Sequence, residues 1–119
     1  MLERQLKARD VYDLLLKIPK GKVTTYHDIA KALGCPQGSR AIGRILNCNP
    51  NPITIPCHRV VMSSGNIGGY AFGKITKKEL LENEGIRFDG DNMQDFSKCR
   101  VGFQELQRGN SGSVLKMVS

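Results

Sequence analysis

Three of the chain's five prolines crowd into one short stretch, at Pro50, Pro52 and Pro56. Each proline fixes φ near about −65° and removes a backbone donor. The backbone from Asn49 is therefore pinned before it delivers Cys57-His58-Arg59-Val60-Val61. An ordinary thiol has a pKa of about 8.5, so a nucleophilic cysteine needs a base, a cation or backbone donors beside it. His58 is adjacent, but neighbouring side chains on an extended segment diverge, and a water or a turn would have to connect the two. Spacing alone leaves two readings open: a reactive thiol served by His58, or a small buried hydrophobe.

The 119 residues suit one domain with one core, and a chain of this size needs no disulfide or metal to stay folded. Apolar residues are 39% and charged residues 24%, which excludes an integral membrane protein and a highly charged disordered chain. The apolar run Leu14–Leu16 is far short of the ~20 residues a bilayer span requires. Charged residues from Glu3 to Asp10 occupy the place of a signal peptide's apolar segment. Cysteines at 35, 48, 57 and 99 form no CxxC pair and have no paired histidines, so no zinc site is expected. An intracellular, reducing setting with free thiols follows.

The formal charge of +7 suggests a polyanionic partner, and its distribution is uneven. From Lys17 to Arg59 seven cations face the single acid Asp28, whereas beyond Phe88 four cations balance four acids. The positive field belongs to the first half.

Val11, Leu14, Leu15 and Ile18 form a helical stripe that should end before Pro19. Thr25 can cap a second helix, with Asp28 returning a bond to the cap amide and Gly34 closing it. A third helix is expected from about Ser39 to Leu46, and two short helices joined by a Gly-containing turn read as helix-turn-helix. Arg40 and Arg44, one turn apart, can face a ligand or simply solvent. Ile53–Ile55 and Arg59–Met62 look like short strands, the latter leading through Ser63–Asn66 to Ile67–Tyr70 as a wing-like hairpin. Lys74–Asn83 reads as a last helix with Leu80 and Leu81 inward and Gly85 after its end. The remainder, from Ile86, has no clear period, and Arg108–Ser113 has the Gly/Ser-rich character of a tail.

Ile55-Pro56-Cys57-His58-Arg59-Val60-Val61 resembles the active-site signature of the O6-alkylguanine-DNA alkyltransferase family. Gly21-Lys22-Val23-Thr24-Thr25-Tyr26 with Ile29-Ala30, Arg40-Ala41-Ile42-Gly43, Asn49-Pro50, Gly68-Gly69-Tyr70, and Leu80-Leu81 with Glu84-Gly85 follow in the family's order and spacing. The resemblance covers about residues 10 to 87. It implies a mixed α/β, mainly helical, winged helix-turn-helix domain that binds duplex DNA, flips an alkylated guanine out of the stack and moves the alkyl group irreversibly to Cys57. The implied catalytic set is Cys57 as nucleophile, His58 as proton relay, Glu84 orienting His58, Asn49 bracing the turn and Tyr70 donating to the guanine. The implied DNA contacts are Arg40 in the gap of the flipped nucleotide, Tyr26 against the backbone, and Thr25, Ser39, Ala41 and Arg44. Val60, Ala71, Phe72, Lys77 and Pro52 are implied around the substrate pocket. No cofactor and no metal is implied, the partner is double-stranded DNA containing O6-alkylguanine, and a monomer suffices.

Residues 1–87 are accordingly expected to form the catalytic domain, without the family's usual N-terminal domain, and residues 88–119 a tail or linker. Some microbial chains fuse this domain to a further repair module such as endonuclease V. Phe72 stands where relatives carry smaller or different residues, which would narrow the pocket against bulky alkyl groups. Two other readings compete: a non-enzymatic lesion binder of the alkyltransferase-like type, against which Cys57 argues, and a plain winged-helix regulator, which leaves Cys57, His58 and Glu84 unexplained. A thiol hydrolase is disfavoured, since no oxyanion site can be read.

Overall fold

Helix α1 (Ala8–Leu15) buries Val11, Leu14 and Leu15 on the face their spacing marks out, and Ile18 completes the stripe before Pro19. The computed structural model describes residues 6–107. Strand β1 (Thr24–Thr25) runs directly into α2 (Tyr26–Ala32), with Thr25 as N-cap: its Oγ1 accepts the Asp28 amide at 2.9 Å. Asp28 departs from expectation. Its carboxylate accepts the Thr25 hydroxyl and the Arg100 guanidinium instead of returning to the cap amide. A cation supplied by tertiary packing outcompetes a local neutral donor.

Gly34 takes φ +81° past the end of α2, and α3 (Ser39–Asn47) packs against α2. Ile42 and Leu46 carry its buried side, Ala41 and Ile45 are only partly covered, and Arg40 and Arg44 are exposed. Helix α4 (Lys74–Asn83) has the expected bounds, with Leu81 buried, Leu80 half-buried and Gly85 at φ +95°.

The strand expected at Ile53–Ile55 is absent. Ile55 N–H donates to Asn51 O (2.9 Å) and Ile53 sits at φ +75°, so the proline-flanked segment closes on itself as a turn. The strand expected at Arg59–Met62 is shorter: Cys57–Arg59 is a 3-10 turn, and only Val60–Val61 (β2) is extended, pairing in parallel with β1. The wing-like hairpin also differs. Met62 N–H reaches Asn66 O (3.0 Å) to close its turn, but Ile67–Tyr70 is not a strand, because Gly68 at φ +74° turns the chain away and Ile67 N–H donates to Asp91 O (2.8 Å). The antiparallel hairpin lies later, in β3 (Phe88–Asp89) and β4 (Asn92–Met93), turning at Gly90 with φ +64°.

Val60 and Val61 point to opposite faces, as strand geometry requires, and so separate two apolar clusters. Val60 joins Leu14, Leu15, Ile29, Ile42, Leu46, Cys57 and Leu106; Val61 joins Val23, Ile67, Leu81, Ile86 and Met93. Full burial of each such aliphatic side chain is worth about 1.5–3 kcal/mol. Met93 and Leu106 lie in the stretch expected as a tail, and residues 88–107 are folded onto the rest, with α5 at Phe96–Cys99. The Gly/Ser-rich stretch from Arg108 lies outside the described residues. Among the described residues no helix is long and apolar enough to cross a membrane.

Candidate active site

The pinned loop ends by placing Cys57 at the start of the 3-10 turn, its N–H on Ile55 O at 2.7 Å. Asn49 braces the approach from both sides: Nδ2 donates to Ile55 O (2.8 Å) and Oδ1 accepts the Asn51 amide (2.8 Å). Cys57 is 5% exposed, and that exposure opens on a cavity of about 910 Å³. Tyr26 from the start of α2, Ser39, Arg40 and Arg44 from α3, and Tyr70 and Ala71 from the loop before α4 share its wall. A volume of this order accommodates a nucleobase-sized ligand.

His58 is fully buried, its Nε2 3.0 Å from Glu84 Oε2. Arg59 holds the same carboxylate in a fork, Nε donating to Oε1 (2.9 Å) and Nη2 to Oε2 (2.7 Å), while Nη1 donates to Ile18 O (2.7 Å). Burial pushes the Glu84 carboxyl up, but hydrogen bonds and charge from Arg59 and His58 outweigh it and leave Glu84 below its ordinary range. His58 is pushed down, chiefly by burial and further by the Arg59 and Lys77 charges, against the opposing pull of Glu84. A neutral imidazole facing an ionised carboxylate must donate from Nε2, which leaves Nδ1 as an acceptor. Among the described residues His58 Nδ1 is the buried side-chain nitrogen or oxygen with no hydrogen-bond partner.

Lys77 is fully buried, its Nζ donating to Val60 O (2.7 Å) and Gly69 O (2.8 Å). Burial drives it down to about 7, opposed by the nearby Cys57. It ties β2 to the loop carrying Tyr70, and does not line the cavity. Val60 is buried in the core behind the wall. Phe72 is 56% exposed and packs edge-on against Tyr70, ring centroids 5.4 Å apart, outside the wall; Pro52 lies half-buried in the preceding loop. Thr25 is buried with its hydroxyl committed to Asp28, so its side chain is withheld from any outside ligand. Ala41 faces a second cavity, of about 970 Å³, on the far flank of α3, where Arg40 and Arg44 also reach.

Sequence alone gives Arg59 no role in the site, although it stands beside His58. The usable signal was chemical: a buried His–carboxylate pair next to a cation invites a fork contact. Among the described residues no group of three or more His, Cys, Asp or Glu could hold a metal ion. Among the described residues no disulfide joins Cys35, Cys48, Cys57 or Cys99.

The family model for the DNA-binding domain of 6-O-methylguanine DNA methyltransferase matches residues 7–86, about two thirds of the chain. The chain belongs to this family. Methylated-DNA–protein-cysteine methyltransferase of Candida glabrata is 50% identical over 76 residues, which is 64% of this chain and 37% of the yeast protein, so the chain corresponds to a part of such relatives. Among solved structures of this family's fold, Mycobacterium tuberculosis OGT in complex with DNA has a TM-score of 0.64 at 40% identity, covering 68% of this chain and 51% of that one. Atl1 of S. pombe, in complex with damaged DNA containing O6-carboxymethylguanine, has a TM-score of 0.67 at 30% identity, covering 79% and 93% respectively. The matched residues of this alkyltransferase-family chain include every member of the Cys57, His58, Arg59 and Glu84 cluster.

Proposed function

We propose that this chain repairs duplex DNA by direct reversal, taking the alkyl group of O6-alkylguanine onto Cys57. In this reading α2 and α3 form the helix-turn-helix of a winged-helix domain, with the exposed Arg40 and Arg44 toward the DNA. The damaged base is extruded, at a cost of a few kcal/mol that is smallest for a weakly paired base, and enters the cavity beside Cys57. Arg40 occupies the gap, where a guanidinium can stack and hydrogen-bond, and Tyr26 meets the rotating backbone.

The Cys57 proton passes to His58 Nδ1, directly or through one water, and the thiolate attacks the alkyl carbon. One C–S bond forms, the C–O bond breaks, and its electron pair leaves with the guanine, whose developing charge the Tyr70 hydroxyl meets. Glu84 stabilises the imidazolium, and Arg59 keeps Glu84 in place. The product is a thioether with no step that returns the thiol, so each molecule acts once, and one lesion requires one copy of the chain.

The observation that carries this reading is the buried, unpartnered Nδ1 of His58, the residue next in sequence to a cysteine that lines a cavity shared with Arg40, Tyr26 and Tyr70. Duplex DNA labelled in the O6-methyl group tests it: label should move to protein one-to-one in a single burst, and Cys57→Ser should bind the duplex without taking label. Continued turnover, or label transfer by Cys57→Ser, would reject it.

A further inference from the structure

Residues 96–107 lie beyond the family match, which ends at Ile86, and their bonds converge on α2. Asp28, in the first turn of α2, is fully buried. Its carboxylate accepts four hydrogen bonds, three of them from this segment: Arg100 Nε and Nη2 at 2.8 Å each, the Phe103 amide at 3.2 Å, and the Thr25 hydroxyl at 2.8 Å. On the approach to α2, Val23 N–H donates to Cys99 O (2.9 Å), Val101 N–H to Val23 O (2.7 Å) and Thr24 Oγ1 to Val101 O (2.7 Å). At its far end Gln107 Nε2 donates to Ala32 O (3.2 Å) and Lys31 lies over the Phe103 ring. Leu106 is buried in the same cluster as Ile29 and Ala30.

The segment thus grips α2 before its start, in its first turn and at its end. A carboxylate removed from water is tolerable only with such partners. Asp28 lies two residues from Tyr26, whose ring lines the cavity and whose hydroxyl reaches Gly69 O at 3.4 Å.

We propose that residues 96–107 are a strap that positions α2 for work on duplex DNA, with Arg100 as its positioning residue, acting through Asp28 on the placement of Tyr26. This rests on the alkyl-transfer reading. Cys57, His58, Arg59 and Glu84 receive no hydrogen bond from the strap among those described, so loosening its Arg100–Asp28 tie impairs meeting the DNA backbone more than it impairs the thiol chemistry.

The test uses the full chain, Arg100→Met and the double variant Asp28→Asn/Arg100→Gln, which keeps a hydrogen-bonding pair without charge. Two quantities are read: transfer from O6-methylguanine in duplex against the free base, and amide exchange along α2 against α4. Arg100→Met should lose at least about tenfold on duplex, change less than about twofold on free base, and accelerate exchange in α2 with α4 unchanged. The double variant should recover both readings. Equal losses on both substrates, unchanged exchange in α2, or a double variant as impaired on duplex as Arg100→Met would overturn the strap; the last would mean that the Arg100 charge touches DNA itself. A wild-type chain that transfers from neither substrate would overturn the alkyl-transfer reading, and the exchange data would then decide the strap alone.

Discussion

Replacing Arg59 by methionine removes two charge-assisted bonds to Glu84 and one to Ile18 O while keeping similar bulk. Breaking a buried ion pair by deleting one partner costs about 3–5 kcal/mol. The Arg59 and Glu84 side chains retain 15% and 12% exposure, which places this pair at the lower limit, about 3 kcal/mol. For a domain of this size that corresponds to a fall in Tm of about 10–20 °C. The pH dependence has a definite sign. Glu84 is held below its ordinary value in the folded state, so its contribution is present above a pH of about 4 and lost as pH falls through the folded value. Without Arg59 that folded value rises toward the unfolded one, so the pH window over which the contribution is lost narrows and the acid-dependent loss of stability becomes smaller. His58 loses a repelling neighbour at the same time and protonates more readily, so the acid limb of alkyl transfer should move to higher pH. Urea unfolding at about pH 3 and pH 7 and a pH profile of transfer measure both effects. Arg59→Met/Glu84→Gln should regain most of the stability, because no carboxylate is left unpaired. A single variant within about 1 kcal/mol of wild type, or a double variant less stable than the single, would refute the idea that Arg59 holds Glu84.

Arg40→Ala should weaken transfer from duplex by roughly 10- to 100-fold and reaction with free O6-methylguanine hardly at all; equal losses would remove Arg40 from the role of holding the flipped state. Four phosphate contacts made by the basic first half would reduce duplex affinity about a hundredfold between roughly 50 and 200 mM salt, and a flat titration would contradict an electrostatic DNA face. Lys77, driven to about 7 when folded, binds its proton less tightly than in the unfolded chain. Its share of stability should therefore rise with pH above about 7, by up to about 1.4 kcal/mol per unit. Denaturant unfolding should show that slope in wild type and lack it in Lys77→Met; identical slopes would mean that Lys77 stays charged.

What could be read beforehand was local. The stripe Val11, Leu14, Leu15, Ile18, the Thr25 cap and the run to Asn83 announce α1, α2 and α4 because helix periodicity and capping act over a few residues. The errors arose where β-branched letters met prolines and glycines. Ile53-Thr54-Ile55 has strand composition, but its neighbours Pro52 and Pro56 favour a turn, and Gly68 diverts the expected second strand of the wing. Asp28–Arg100 and Arg59–Glu84 span 72 and 25 residues, and nothing local marks such pairs. Glu84 was reachable only through the family resemblance, whereas Arg100 lay in a stretch without periodicity. Burial of Thr25, Val60 and Lys77 was hidden for the same reason: the face a residue presents depends on packing that no short window encodes.

Peptide mapping by mass spectrometry, after one equivalent of O6-methylguanine duplex has been consumed, addresses the sulfur itself. The account predicts that the peptide containing Cys57 becomes heavier by one CH2 unit, while those containing Cys35, Cys48 and Cys99 keep their masses. An unmodified Cys57 peptide alongside repaired DNA, or a methyl group on any other cysteine, would contradict it.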